Sequence, residues 1–218
     1  MLNQKVLVLM IIPLLLIPLA SFGYAHFTYT VEKKYKIHVY CGEVDIESYK
    51  IYSHIDDNYV DDQLINGTLF FSADVYVGWF VWVGLVIKNN GIIDMNYEQT
   101  NLEIETIPSN SVTWQSKEFL YGPFTEADFN HNPDVWRYVT ADSWEEKLDP
   151  EEGIIGLTPT PSPVTVEGPP AHFNPCKLIA WIYIEIVDGP ETFTIEVSVD
   201  LGVTIAETYT EEEQAVVP

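Results

Sequence analysis

At 218 residues the chain is long enough for one β-sandwich or barrel with a real core, or for two small domains at most. It carries 33 Asp and Glu against ten Lys and Arg, a formal net charge of −23. That excludes the basic surface nucleic-acid binding requires, and suits solubility, repulsion between free subunits, divalent cations or basic partners.

The chain opens on an export signal. Lys5 precedes an apolar run from Val6 to Leu19, and Ala20 to Ala25 supply small residues with Gly23 and Ala25 at the −3 and −1 positions. This order predicts a signal peptide over residues 1–25, cleaved between Ala25 and His26. The alternative is an uncleaved membrane anchor reaching to Phe22, which Pro13 and Pro18 weaken. Either way the rest of the chain lies outside the cytoplasm, extracellular or at the cell surface.

Residues 26–36 then read as an extended arm. Phe27, Tyr29 and Val31 share one face, and Lys33, Lys34 and Lys36 follow. Such a peptide can complete a sheet, its own or a neighbour's, and its positive charge would steer it to an acidic body.

From residue 37 to 210 the periodicity is two. Tyr35, Ile37, Val39 and Cys41 alternate with polar residues, and Val44 to Glu47 continue. Residues 68–87 read as two strands with a turn or bulge near Gly78. Asn90-Gly91 is a tight-turn signal. Strands follow at Asn101–Ile107, Leu178–Val187 and Thr192–Leu201. The predicted fold is all-β: an antiparallel, jelly-roll-like sandwich with one or two short helices and a Pro-rich loop. The helical pieces fall within Phe124–Leu148, where Asp142 or Ser143 would cap a helix ending at Leu148. Residues 156–170 hold five prolines and read as an extended surface loop inserted within one domain, or as an interdomain linker. Residues 211–218 read as an acidic, solvated tail.

Cys41 and Cys176 both lie in the exported part, where an even pair favours a disulfide; two separate buried thiols are the alternative. The chain has no His-Glu-x-x-His face, Gly-x-Ser-x-Gly elbow or phosphate-cradling glycine loop, so neither an enzyme nor a small-molecule substrate is expected. No cofactor is expected either, unless Asp56, Asp57, Asp61 and Asp62 hold a calcium ion. Their spacing lacks the central Gly and final Glu of an EF-hand, and an exposed acidic loop explains them as well. Asn66-Gly67-Thr68 is a glycosylation sequon. The six Trp residues invite a carbohydrate-binding reading, although most are expected in the core or over sheet edges.

The junction Ala25-His26-Phe27-Thr28-Tyr29-Thr30 resembles the start of the TasA/camelysin family of secreted fibre subunits. So do Gly42-Glu43-Val44-Asp45-Ile46, the run Val83 to Gly91, and the late strand Thr192 to Asp200. Archaeal bundling pili are similar in layout. The cysteine pair and the long 124–175 region depart from the family pattern. The resemblance implies a jelly-roll sandwich that polymerises into biofilm-matrix fibres or pili, each subunit's N-terminal strand filling a groove in the next. The partner would be a homopolymer, with membrane contact only through an uncleaved N-terminal segment. The alternative is a monomeric secreted or membrane-anchored sandwich that binds carbohydrate or cell-surface components.

Overall fold

Alternating apolar residues in chains rich in Val, Ile, Thr and aromatics make strands that bury one face, and two such faces bury each other. That is the arrangement in the computed structural model, which describes residues 43–54, 59–91, 93–109, 111–168 and 176–206. All of them belong to one unit, Gly42–Pro218. The expected signal peptide, the expected N-terminal arm, the predicted alternation from Tyr35 to Cys41 and the expected acidic tail lie outside the described residues.

The first sheet has the order β1 (Val44–Ser53), β4 (Phe80–Asn89), β10 (Lys177–Asp188) and β6 (Thr113–Phe124). The second has the order β2 (Tyr59–Ile65), β3 (Thr68–Val75), β11 (Phe193–Ile205), β5 (Met95–Ile107) and β9 (Val164–Val166). Every pairing is antiparallel. Apart from the β2–β3 hairpin, the chain changes sheet at nearly every connection between these strands. A small ribbon of β7 (Leu148–Asp149) and β8 (Gly153–Ile154) stands apart. The all-β antiparallel sandwich expected from the sequence is the fold.

The core lies between the sheets. Leu69, Phe71, Ala73 and Val75 of β3, with Ile195, Val197 and Val199 of β11, face Val83, Leu85, Ile182 and Ile184 of β4 and β10. β4 and β10 are buried on both faces, because a second apolar cluster covers the outside of the first sheet. It is built by residues 125–157, which carry α1 (Glu126–His131), α2 (Pro133–Trp136) and α3 (Trp144–Lys147). Gly84 lets this cap pack: a Cβ there would lie 2.6 Å from the Trp181 ring. The indole of Trp181 donates to the Val135 carbonyl at 3.0 Å. Lys50 Nζ reaches the carbonyls of Trp136 at 2.5 Å and Val139 at 2.8 Å.

Several local expectations shift. Gly78 does turn the chain between β3 and β4, with φ at 90°. An Asn-Gly turn in the left-handed region is Asn66-Gly67 between β2 and β3, whose φ values are 52° and 85°. At Asn90-Gly91 the buried Asn89 shapes the corner, accepting from Gly91 N and donating to the carbonyls of Ile93 and Val166. Three short helices form among the described residues, the first capped by Thr125, whose hydroxyl accepts from Asp128 N. Ser143 stands before α3 without capping it, and donates to the Tyr138 carbonyl. The Pro-rich stretch is neither a free loop nor a linker. Thr160 N donates to the Leu120 carbonyl of β6, and four residues later Val164 pairs with Tyr97 of β5, so it straps one sheet to the other.

Candidate functional site

A sandwich has two long sides where edge strands of opposite sheets lie together. One side here carries β1 and β2, the other β6 with β5 and β9. On the second side the sheets are unequal. β9 pairs with only Met95, Asn96 and Tyr97 of β5, while β11 pairs β5 along its whole length. Beyond the strap, residues 99–105 have no strand neighbour on their outer edge among the described residues.

The direction of the main-chain groups follows from one contact. Thr100 N donates at 3.3 Å to Glu118 Oε2, across the gap to β6. Its N–H therefore faces the open edge, and by strand alternation so do those of Leu102 and Ile104. The same residues turn their side chains inward. Leu102 and Ile104 pack against the core yet remain only partly buried, whereas Ile195 and Val197, inward-facing on the neighbouring strand, are at most 2% exposed. Across the gap, Val112 and Trp114 are also partly buried against the same cluster. Ile104, Glu105, Thr106, Ser109, Val112 and Trp114 line a cavity of about 470 Å³ at this corner. The sandwich thus lacks a strand here: an apolar floor and a row of main-chain donors and acceptors stand without one.

Toward the strap, the open edge ends in a cluster of polar groups. The Glu118 carboxylate accepts from the Thr100 hydroxyl at 2.5 Å, from Thr100 N and from the Tyr97 hydroxyl. Tyr97 is fully buried, and burial followed by the neighbouring Glu118 charge pushes its phenol far above the ordinary range. No Lys or Arg pairs with Glu118 among the described residues. Beyond this cluster the strap takes over, with the Ser162 hydroxyl on the Glu98 carbonyl.

Charge is segregated between the sheets. The described Lys and Arg residues (50, 88, 117, 137, 147 and 177) all lie in the first sheet or its cap, and the second-sheet strands carry acidic charge only. Glu105 and Glu196 sit directly opposite each other there, an arrangement that favours a cationic neighbour.

The site residues expected from sequence fall as follows. Ala25, His26, Phe27, Tyr29, Val31, Cys41, Asp56 and Asp57 lie outside the described residues. Cys176 is buried at the head of β10, its N–H on the Phe124 carbonyl and its carbonyl on Asn89 N, and its expected disulfide partner Cys41 lies outside the described residues. Burial raises its thiol pKa. Asp61 and Asp62 are consecutive in β2, so their carboxylates leave opposite faces; Asp62 accepts from the Tyr49 hydroxyl of β1. The described residues contain no group of three or more metal-ligating side chains. Asn66 is exposed at the hairpin tip. Trp79, Trp82, Trp144 and Trp181 are buried. The described residues include no helix long and apolar enough to cross a membrane.

The groove residues Leu102, Ile104, Trp114 and Glu118 are not singled out by the sequence reading. Leu102, Ile104 and the intervening Glu103 look like any half-buried strand, and only the three-dimensional shortness of β9 makes them an open edge. No protein-family model, curated protein or solved structure matches this chain.

Proposed function

We propose that this protein is an exported structural subunit that polymerises into extracellular fibres or pili, as in a biofilm matrix. In this reading the N-terminal arm of one copy adds as a strand beside β5 of the next. The observation that carries it is the open edge of β5. Natural sheets blunt exposed edges with bulges, prolines, lysines or shortness. Residues 99–105 have none of these: the segment lies within β5 (Met95–Ile107), in unbroken register with β11, free of Pro and Lys, and floored by half-covered apolar side chains. The occupant is argued from the sequence. Residues 26–36 present Phe27, Tyr29 and Val31 on one face and bring three lysines to an acidic sheet. The likeness to the TasA/camelysin fibre subunits supports the same reading, on the short motifs quoted above. Neither catalysis nor a resident cofactor is part of it.

The test is deletion of residues 26–34 from the mature protein. A soluble, β-rich protein that no longer forms fibres in electron micrographs is expected. Replacing Phe27 and Tyr29 by Asp should act similarly, because a carboxylate would have to be buried without a partner. Normal fibres from the deleted protein would end the proposal, and a native protein that stays monomeric would favour the carbohydrate- or surface-binding alternative.

A further inference from the structure

We infer that the arm enters antiparallel to β5, in the register that sets Lys33 against Glu118 at the strap end of the groove. Val31 then lies opposite Leu102 and Tyr29 opposite Ile104, with Phe27 beyond them at the Val112 and Trp114 end. This rests on the proposed strand addition, and adds to it a direction, a register and an ion pair.

Three features fix the assignment. The first is the polarity of the groove. Along the β5 edge, partly buried Val112 and Trp114 lie across from the Ile104 end, Leu102 follows, and Glu118 and Thr100 stand at the strap end. The inward face of the arm, read at every second residue, is Phe27, Tyr29, Val31 and Lys33. Three apolar residues followed by a cation match Ile104 and Leu102 followed by a carboxylate that has no cation among the described residues. The opposite direction would place Phe27 on Glu118 and leave that carboxylate without Lys33.

The second is the strap. β9 occupies the same row antiparallel to β5, pairing Val164 with Tyr97, so an incoming strand running the same way must end before it. Thr100 is the last β5 residue whose N–H meets a side chain rather than the strap, and that side chain is Glu118. A register two residues deeper would carry Lys33 into the strap at Glu98, where Ser162 is bonded, and put Val31 against the carboxylate.

The third is the outward face. In the proposed register Thr28 lies opposite Glu105, Thr30 opposite Glu103, and Glu32 opposite Asn101, so no like charges face each other. A register two residues shallower sets Glu32 directly opposite Glu103, a repulsive pair. Glu118 itself is held by three neutral donors and no cation among the described residues. An arriving ammonium would supply the missing countercharge.

The experiment uses the full mature chain. A photoreactive benzoylphenylalanine replaces Tyr29, an aromatic for an aromatic, and crosslinks in fibres are mapped by mass spectrometry. Crosslinks between chains from position 29 to Ile104 or Trp114 are expected. Crosslinks between chains to Glu118, or to another groove position two residues away, would overturn the register while leaving strand addition intact. Fibres with no crosslink to β5 or β6 would overturn strand addition itself, as would crosslinks confined within single chains. In parallel, Lys33→Glu and Glu118→Lys should each slow assembly by about tenfold or more, and the double reversal should recover most of that loss. Circular dichroism checks that Glu118→Lys folds. Two folded single variants that assemble at the native rate would remove the ion pair.

Discussion

The two long sides of this sandwich solve the same problem differently. On the β1/β2 side both edge strands carry devices that discourage a newcomer. β1 is bulged between Ile46 and Ser48 and carries Lys50, while β2 is seven residues long and bulged between Tyr59 and Asp61. Tyr49 and Asp62 join the two strands across the gap. On the β5/β6 side the Pro-rich strap closes only the lower part, and nothing blunts β5 above it. Both sides leave some inward apolar residues half-covered. What separates them is therefore main-chain availability rather than hydrophobicity, and strand addition depends on main-chain pairing.

The comparison can be broken by truncating equivalent inward residues. Ile195 on β11 is fully buried, and Ile195→Ala should cost about 2–5 kcal/mol in a denaturant titration of the unassembled protein. Ile104→Ala, on the adjacent strand but at the open groove, should cost about 1 kcal/mol or less, since its side chain is already partly wet. Its larger effect should be on fibre formation. Equal costs in the unassembled protein would mean that the groove is already filled.

Glu118 offers the next test. Glu118→Ala leaves the fully buried Tyr97 hydroxyl without its carboxylate, a loss of about 1–3 kcal/mol. The same cluster predicts alkaline sensitivity. Tyr97 has a folded pKa raised above its unfolded value, so its contribution is complete below about pH 10 and is lost as pH rises beyond that. Melting curves at rising pH should show this decline, and Tyr97→Phe should flatten it.

The cap gives a smaller, acid-side effect. The Lys177 ammonium, 4% exposed, is held by Glu47 at 2.7 Å and Glu126 at 2.9 Å. The hydrogen bond from Lys177 is the main cause that lowers the Glu126 pKa. A depressed carboxylate contributes stability above its unfolded value, about 4.3, and loses it as pH falls through the folded value. Because Glu126 is half-exposed and Lys177 keeps Glu47, Glu126→Gln should cost only about 0.5 kcal/mol at neutral pH, vanishing in acid.

Much of the fold is written in local alternation. β3 and β11 follow from period two and branched residues, because burial of one face imposes that period, whereas β4 and β10, buried on both faces, read as near-continuous apolar runs. The Pro-rich segment misleads, since proline density describes missing N–H groups and not where the remaining ones go. Thr160 and Val164 find partners on opposite sheets, a long-range fact that no local pattern carries. At Asn90-Gly91 the chain does turn out of β4, and the buried Asn89 amide holds the corner through bonds no dipeptide pattern carries. The groove is the least legible feature. It is the absence of pairing along part of β5, and depends on how far a strap some sixty residues away extends.

The smallest predicted effect completes the comparison. Tyr49→Phe removes the hydroxyl that donates to Asp62 on the β1/β2 side. Both residues are half-buried, so water can replace the lost partner, and the cost should be about 0.5–1 kcal/mol in the unassembled protein. Fibre formation should be unaffected, because the bulges at Ile46/Ser48 and Tyr59/Asp61 continue to disrupt a regular edge. Trp114→Ala should do the reverse, with little change in the stability of the free subunit and slower assembly. Measuring both variants for stability and fibre yield gives a crossed result if the two sides have the proposed roles. A Tyr49→Phe protein that fails to assemble, beside a Trp114→Ala protein that assembles normally, would transfer the acceptor role to the β1/β2 side.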